Sequence, residues 1–350
     1  MDFKKNQQSL STNKCKLPFL LLLCFGACAQ TESSRAEFAL GTVCSVTLFD
    51  QSRDRVYRDI FSRIHEIENL MSVNIPASDV SRINAAAGIE PVQVHDDVYK
   101  VIERAVYFAR LSGGAFDPSV GPLVSLWGIG TDTPRLPSQK EIDEILPLIN
   151  WQDVELDPHT RSVFLRRTGM ALDLGGIAKG YAADEAAAIV KNSNVKRAII
   201  DLGGNIVICG EKKDKSPWRA GIQNPGYNRG DIMGIVNITA EHSRAQTVVT
   251  SGVYERFFEE NGGRFHHIFS PFQGYPADNG LLSVTVISHN SMDADALSTA
   301  VFVLGYEKGM ALIEAFPGAE AVFVFEDKTV RTTNGVKFAL TDNMFRLVQE

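Results

Sequence analysis

The stretch Met170-Ala171-Leu172-Asp173-Leu174-Gly175-Gly176-Ile177-Ala178-Lys179-Gly180-Tyr181-Ala182-Ala183-Asp184 constrains this chain more than any other. A short apolar run stops at paired glycines, a lysine follows, and an alanine-rich helical pattern continues through Ala188 toward Val190. The pattern predicts a strand, a tight turn and a helix N-terminus. Such a junction turns backbone N–H groups and the positive end of the helix dipole outward, and glycines let a ligand approach the backbone closely. Phosphate is the ligand this geometry suits. The run matches neither the P-loop nor the dinucleotide fingerprint, so a plain strand-to-helix turn is the competing reading.

The first 28 residues read as a targeting segment and are set aside for fold reasoning. Lys4, Lys5, Lys14 and Lys16 give a basic start, and the apolar run Phe19 to Ala27 is too short to span a bilayer. Small residues precede Cys28 in Phe25-Gly26-Ala27-Cys28, a pattern that resembles a bacterial lipobox. Cys28 is therefore expected to be diacylated and to become the mature N-terminus, with an ordinary secretory signal as the alternative. The expected location is extracytoplasmic: lipid-anchored to the inner (cytoplasmic) membrane and facing the periplasm. About 320 residues then remain, enough for a sizeable core. A net charge of −7 without any basic tract argues against a nucleic-acid partner.

Residues 29–36 read as a polar tether and 37–350 as one catalytic-size unit. Phe38 to Phe49 alternates as an opening strand. From Arg53 to Met71, the residues Val56, Ile60, Ile64, Ile67 and Met71 fall at helical spacing and form a core stripe. A second helix is expected from Asp97 to Leu111, capped by Asp96 or Asp97 and stopped at Gly113-Gly114. Ser138 and Glu141 form a capping-box pattern. Many strands mix with helices and no regular βαβ period appears, which predicts an α+β fold with a mixed or antiparallel sheet. Cys44 and Cys209 are the two cysteines of the mature fold, and sequence alone leaves open whether they pair.

A second constellation is Asp293-Ala294-Asp295-Ala296-Leu297-Ser298-Thr299. Asp295 and Thr299 are four apart, so on a helix their oxygens share one face. A carboxylate with a hydroxyl is a hard-oxygen pair that suits Mg²⁺, which completes its shell with phosphate and water. Helix capping by Asp293 and back-bonding by Thr299 are the simpler readings. With the glycine junction, the pair makes two halves of a phosphoryl-transfer site, where positioning and charge neutralisation do most of the work.

Four separated blocks now stand in order: Phe116-Asp117-Pro118-Ser119-Val120-Gly121-Pro122-Leu123, Leu172 to Gly180, Asp201-Leu202-Gly203-Gly204-Asn205, and Ala294 to Ala300. Together they resemble the signature segments of the FAD:protein FMN transferases, the ApbE-like flavin transferases, over nearly the whole mature chain. The resemblance implies an ApbE-like, T-fold-related unit that binds FAD, uses Mg²⁺, and moves FMN onto a Thr or Ser hydroxyl of a protein acceptor, such as a redox-pump subunit, releasing AMP. It implies the Ala178 carbonyl, Asp295 and Thr299 as metal ligands. It also implies that Lys179, Gly175 and Gly176 face the phosphates, and that Asp117, Asp173 and the Asp201–Asn205 loop, with Gly204, line the cofactor pocket.

The family's His-Ile-Ile-Asp-Pro-x-Thr-Gly block stands here as His267-Ile268-Phe269-Ser270-Pro271-Phe272-Gln273-Gly274. His267 is thus the expected general base, with a structural histidine as the alternative. Its neighbour His266 is expected to face the other way. Ser270 and Gln273 depart from the pattern, as does Val253 in Thr250-Ser251-Gly252-Val253-Tyr254. After Met71-Ser72, where many relatives place a cofactor-stacking Tyr, stands Asn74. A weakened grip leaves room for water to replace the acceptor, which gives FAD pyrophosphatase activity. Two alternatives to the transferase are a pyrophosphatase alone and a flavin-binding lipoprotein without chemistry.

Overall fold

A computed structural model describes residues 33–50, 54–226, 230–240 and 244–348. Cys28, the targeting segment 1–28 and residues 29–32 lie outside the described residues. The organising principle is period-two alternation in strands buried on both faces. In Glu320–Phe325, Ala321 and Phe323 enter one core cluster while Val322 and Val324 enter another. A strand of this kind has to sit between two apolar layers.

It does so in the middle of a nine-stranded sheet. The order runs Ser33–Ala39, Thr42–Leu48, Ala198–Leu202, Asn205–Cys209, Gln246–Gly252, Leu281–Ser288, Glu320–Phe325, Thr329–Thr332, Arg346–Leu347. Every neighbouring pair is antiparallel except the last, which is parallel. Helices Asp54–Met71, Asp96–Leu111, Ala178–Lys191 and Ser291–Leu304 supply the apolar residues that cover one face. The other face packs on a three-stranded sheet ordered Phe338–Leu340, Ile232–Ile238, Trp218–Gln223. The expected α+β class with a mixed sheet is what the chain adopts. No described helix is long and apolar enough to cross a membrane.

Several local expectations change. The opening strand is a hairpin, Ser33–Ala39 with Thr42–Leu48, so residues 33–36 of the expected tether are paired strand. Its turn places Leu40 at φ 54° and Gly41 at φ 69°. A leucine rarely takes that conformation, and here the Glu68 carboxylate accepts its N–H at 2.7 Å. The second helix begins at Asp96, and its cap is the His95 imidazole, which accepts the Asp97 N–H at 3.2 Å. The Ser138–Glu141 capping box is present. Cys44 and Cys209 are both free, placed opposite Leu202 and Ala198 at the two ends of one strand.

The apolar run before Gly175 is not a strand. Ala171 makes a single bridge with Val120, and Leu172 takes its partners from a side chain. Asn84 donates from Nδ2 to the Leu172 carbonyl at 3.0 Å and accepts the Leu172 N–H on Oδ1 at 2.7 Å. One amide thus replaces a ladder partner for a fully buried residue. Asn84→Ala orphans both backbone groups. The expected cost is about 2–4 kcal/mol, read as a lower urea midpoint at unchanged slope.

Candidate active site

Two of the four helices, Ala178–Lys191 and Ser291–Leu304, reach a cavity of about 250 Å³ whose walls come from widely separated stretches. The Gly175–Gly180 junction lies at its edge, and four of its amides are taken. Ile177 and Ala178 both donate to the Leu174 carbonyl, at 3.0 and 2.8 Å. Gly175 N–H donates to Asp173 Oδ1 at 2.8 Å. Gly180 N–H donates to Asp295 Oδ2 at 2.9 Å. At Gly180 the anion is a side chain of the protein itself, while Gly175, Gly176 and Lys179 line the cavity. Lys179 Nζ donates to the Gly175 carbonyl at 2.9 Å and lies 3.7 Å from Asp295 Oδ1.

Asp295 and Thr299 share the inward face of helix Ser291–Leu304, and both line the cavity. Asp295 is 3% exposed. Thr299 Oγ1 lies 3.5 Å from the Ser251 hydroxyl, which also contacts Ser298 at 2.8 Å. Asp293 does not cap this helix. Asn290 accepts the Asp293 N–H at 2.9 Å, while the Asp293 carboxylate takes a bidentate pair from Arg104 at 2.7 and 2.8 Å. Ala178 opens the helix Ala178–Lys191, two residues before the amide that Asp295 accepts. Among the described residues no three His, Cys, Asp or Glu side chains gather as a metal cluster, so a cation here would need hydroxyl and carbonyl oxygens beside the one carboxylate.

The two helices meet at Gly180. A Cβ there would lie 2.2 Å from the Ser291 carbonyl oxygen and 2.7 Å from Met292 Cα. Both are backbone atoms, so the helices themselves would have to part. Helix propensity favours Ala over Gly by about 1 kcal/mol, and overpacking costs about 1–3 kcal/mol or more. Gly180→Ala is expected to lose about 2 kcal/mol net in urea unfolding, with Asp295 drawn off its amide.

His267 is half-exposed, but what it faces is the cavity. Its Nδ1 lies 3.1 Å from the Arg256 carbonyl, which can only accept, so Nδ1 carries the hydrogen and Nε2 the lone pair. Burial, then the nearby Arg256 and Lys179 cations, push its pKa down to about 3. The neutral ring is thereby favoured. His266 turns to the core, contacting the Ala277 carbonyl at 3.0 Å and the Phe302 ring edge-on. The two neighbours face different ways, His266 as the last residue of strand Gly263–His266 and His267 in the bend that follows.

Asp117, Asp173, Gly175, Gly176 and Asn205 also line the cavity. The Asp117 carboxylate accepts Ser119 N–H and Oγ at 2.8 and 2.6 Å and Trp151 N–H at 3.0 Å, while burial pushes its pKa up. Asn205 is 2% exposed, and its Nδ2 has no partner, a donor left over for a ligand. Met71, Asn74, Ala178, Asp201 and Gly204 do not line the wall. Met71 is buried in the main core, and Asn74 is exposed with its N–H on Ser72 Oγ at 3.2 Å. Asp201 accepts the Gly204 N–H at 3.0 Å, which shapes the turn that presents Asn205. Wall residues given no role of their own in the sequence include Thr42, Ser251 and Arg256, while Gly203 belongs to the expected Asp201–Asn205 loop. Ser251 and Arg256 lie in or just past the Thr250–Tyr254 block, which was the available signal.

A three-layer α+β scaffold with a lysine, a buried carboxylate and a neutral histidine around one cavity defines a protein equipped for a phosphorylated ligand. The chain belongs to the ApbE family, whose model matches residues 40–323. It is 39% identical over 332 residues to an FAD:protein FMN transferase of Treponema pallidum, covering 89% of this chain and 90% of that one. It is also 39% identical over 291 residues to a Klebsiella pneumoniae protein of the same name, covering 83% and 89%. Among solved structures, the ApbE protein of Thermotoga maritima superposes with TM-score 0.78 at 35% identity, covering 87% of this chain and 97% of that one. The flavin transferase ApbE of Vibrio cholerae gives 0.75 at 25% identity, covering 90% and 98%.

Proposed function

We propose that this chain transfers the FMN half of FAD to a Thr or Ser hydroxyl of a protein acceptor, such as a subunit of a redox pump, and releases AMP. One observation carries the reading: Asp295, Thr299 and Lys179 meet on the wall that His267, neutral and proton-accepting, also lines. The acceptor hydroxyl oxygen forms a bond to the FMN phosphorus, and the bridging bond to the AMP phosphate breaks. His267 Nε2 takes the hydroxyl proton. Lys179 offsets the charge on the diphosphate, and the leftover Asn205 amide donor binds the cofactor.

The residues present fit Mg²⁺: one carboxylate, one hydroxyl and a helix-start carbonyl are hard oxygens with room left for phosphate and water. Asp295, Thr299 and the Ala178 carbonyl would hold the ion, which polarises the diphosphate when bound. Mixing a candidate acceptor with the protein, FAD and Mg²⁺ should add the mass of FMN to one Thr or Ser; an unchanged acceptor mass with every redox-pump subunit tried would reject the reading. With acceptor omitted, water takes the hydroxyl's place and FAD is split into FMN and AMP, and FAD unchanged after long incubation would exclude this second activity. Lipid attachment at Cys28, facing the periplasm from the inner membrane, belongs to the same proposal. Palmitate labelling that survives Cys28→Ala would refute it.

A further inference from the structure

Asp184 takes no part in the chemistry above, yet it is a carboxylate held between the two helices that carry the site. It sits on Ala178–Lys191, just under two turns past Ala178. Both of its oxygens are used by the other helix: Oδ1 accepts the Ser291 N–H at 2.8 Å and Oδ2 the Met292 N–H at 2.9 Å. Those are the first two residues of Ser291–Leu304, whose next turns carry Asp295 and Thr299. One turn earlier on the first helix, the contact is repeated in reverse, with Gly180 N–H given to Asp295. Between these two bonds Gly180 has no room for a Cβ against Ser291. Burial pushes the Asp184 carboxyl up to about 7, a cost the fold bears although Asn290 already caps the second helix by accepting the Asp293 N–H.

We infer that Asp184 is a positioning residue for the cation: its two bonds to the Ser291 and Met292 amides set the offset between the helices, so that the Ala178 carbonyl, Asp295 and Thr299 converge on one ion. The inference rests on the proposed metal reading. Bidentate acceptance fixes both distance and rotation, which a single hydrogen bond does not. Asn at this position keeps one acceptor oxygen but turns an NH₂ toward the second amide, so the helices shift while the volume is conserved. Reciprocity then requires that an ion binding the site tighten the Asp184 bonds in turn.

Mn²⁺ titration of the intact protein, wild type against Asp184→Asn, tests this, with FAD binding in metal-free buffer and thermal unfolding measured alongside. The expected result is a Mn²⁺ dissociation constant raised at least about tenfold with metal-free FAD binding within about twofold, beside a modestly lower unfolding midpoint because one amide loses its acceptor. Equal Mn²⁺ affinity overturns the inference, as does a parallel fall in all three measurements, which marks a merely structural residue. If wild type binds Mn²⁺ no better than Asp295→Ala does, the metal reading itself fails and takes this inference with it. Hydrogen exchange on wild type decides the matter without any variant: saturating Mg²⁺ should slow exchange at the Ser291 and Met292 amides several-fold, and unchanged exchange there overturns the coupling.

Discussion

Asp295→Ala is expected to lower the rate of FMN transfer on the order of a thousandfold, about 4 kcal/mol of transition-state stabilisation, while FAD still binds. The carboxylate is the acidic side chain that the second helix turns into the cavity, and its loss leaves the Gly180 N–H without its acceptor and the Lys179 ammonium without its counter-charge. Binding survives because the donors and walls that meet the rest of the ligand, Asn205 and the Asp117 loop among them, lie on other elements. Stopped-flow turnover and equilibrium FAD titration of the same preparation separate the two effects. A protein that only stores flavin would show no turnover in wild type and no change on substitution, so the pair of measurements also decides between enzyme and binder.

His267→Asn should slow transfer by about a hundredfold to ten-thousandfold, the usual contribution of a positioned general base. Asn can keep the donated hydrogen bond to the Arg256 carbonyl but supplies no basic lone pair. The pH dependence carries a sign. With the imidazole pushed down to about 3, it stays unprotonated through the neutral range, so kcat/KM should show no acid limb near the ordinary histidine value. A bound diphosphate beside Arg256 and Lys179 offsets the cations that depress it. The base then titrates higher in the complex, and the acid limb of kcat should lie above that of kcat/KM. Coincident limbs, or an acid limb in kcat/KM close to 6.5, would contradict the assignment.

What could be read in advance followed from strong, local chemistry. The Val56–Met71 stripe, the Ser138–Glu141 box and the i,i+4 pairing of Asp295 with Thr299 need only one helix each to be legible. What could not be read depended on partners distant in sequence. The Met170–Leu174 run looks like a strand because it is apolar, yet its partner is the Asn84 side chain, 88 residues away. The turn at Leu40-Gly41 lacks the usual Asn or Asp, because Glu68 supplies the hydrogen bond that such a side chain would otherwise give. The glycine junction suggested open amides, but Asp295, 115 residues on, takes the one at Gly180. The hydrogen bond that sets the His267 tautomer goes to the Arg256 backbone carbonyl, a contact with no signature in residue type.

The scatter of the cavity walls along the chain has a kinetic meaning. Thr42, Asp117, Lys179, Asn205, Arg256, His267 and Thr299 span most of the polypeptide, and Asp295 meets Gly180 only when the helix near the C-terminal end has docked. Contacts so remote in sequence form late, since each closes a long loop before it is rewarded. A chain that has not yet emerged past Thr299 lacks one wall of the cavity, so ligand capture reports that this helix has docked.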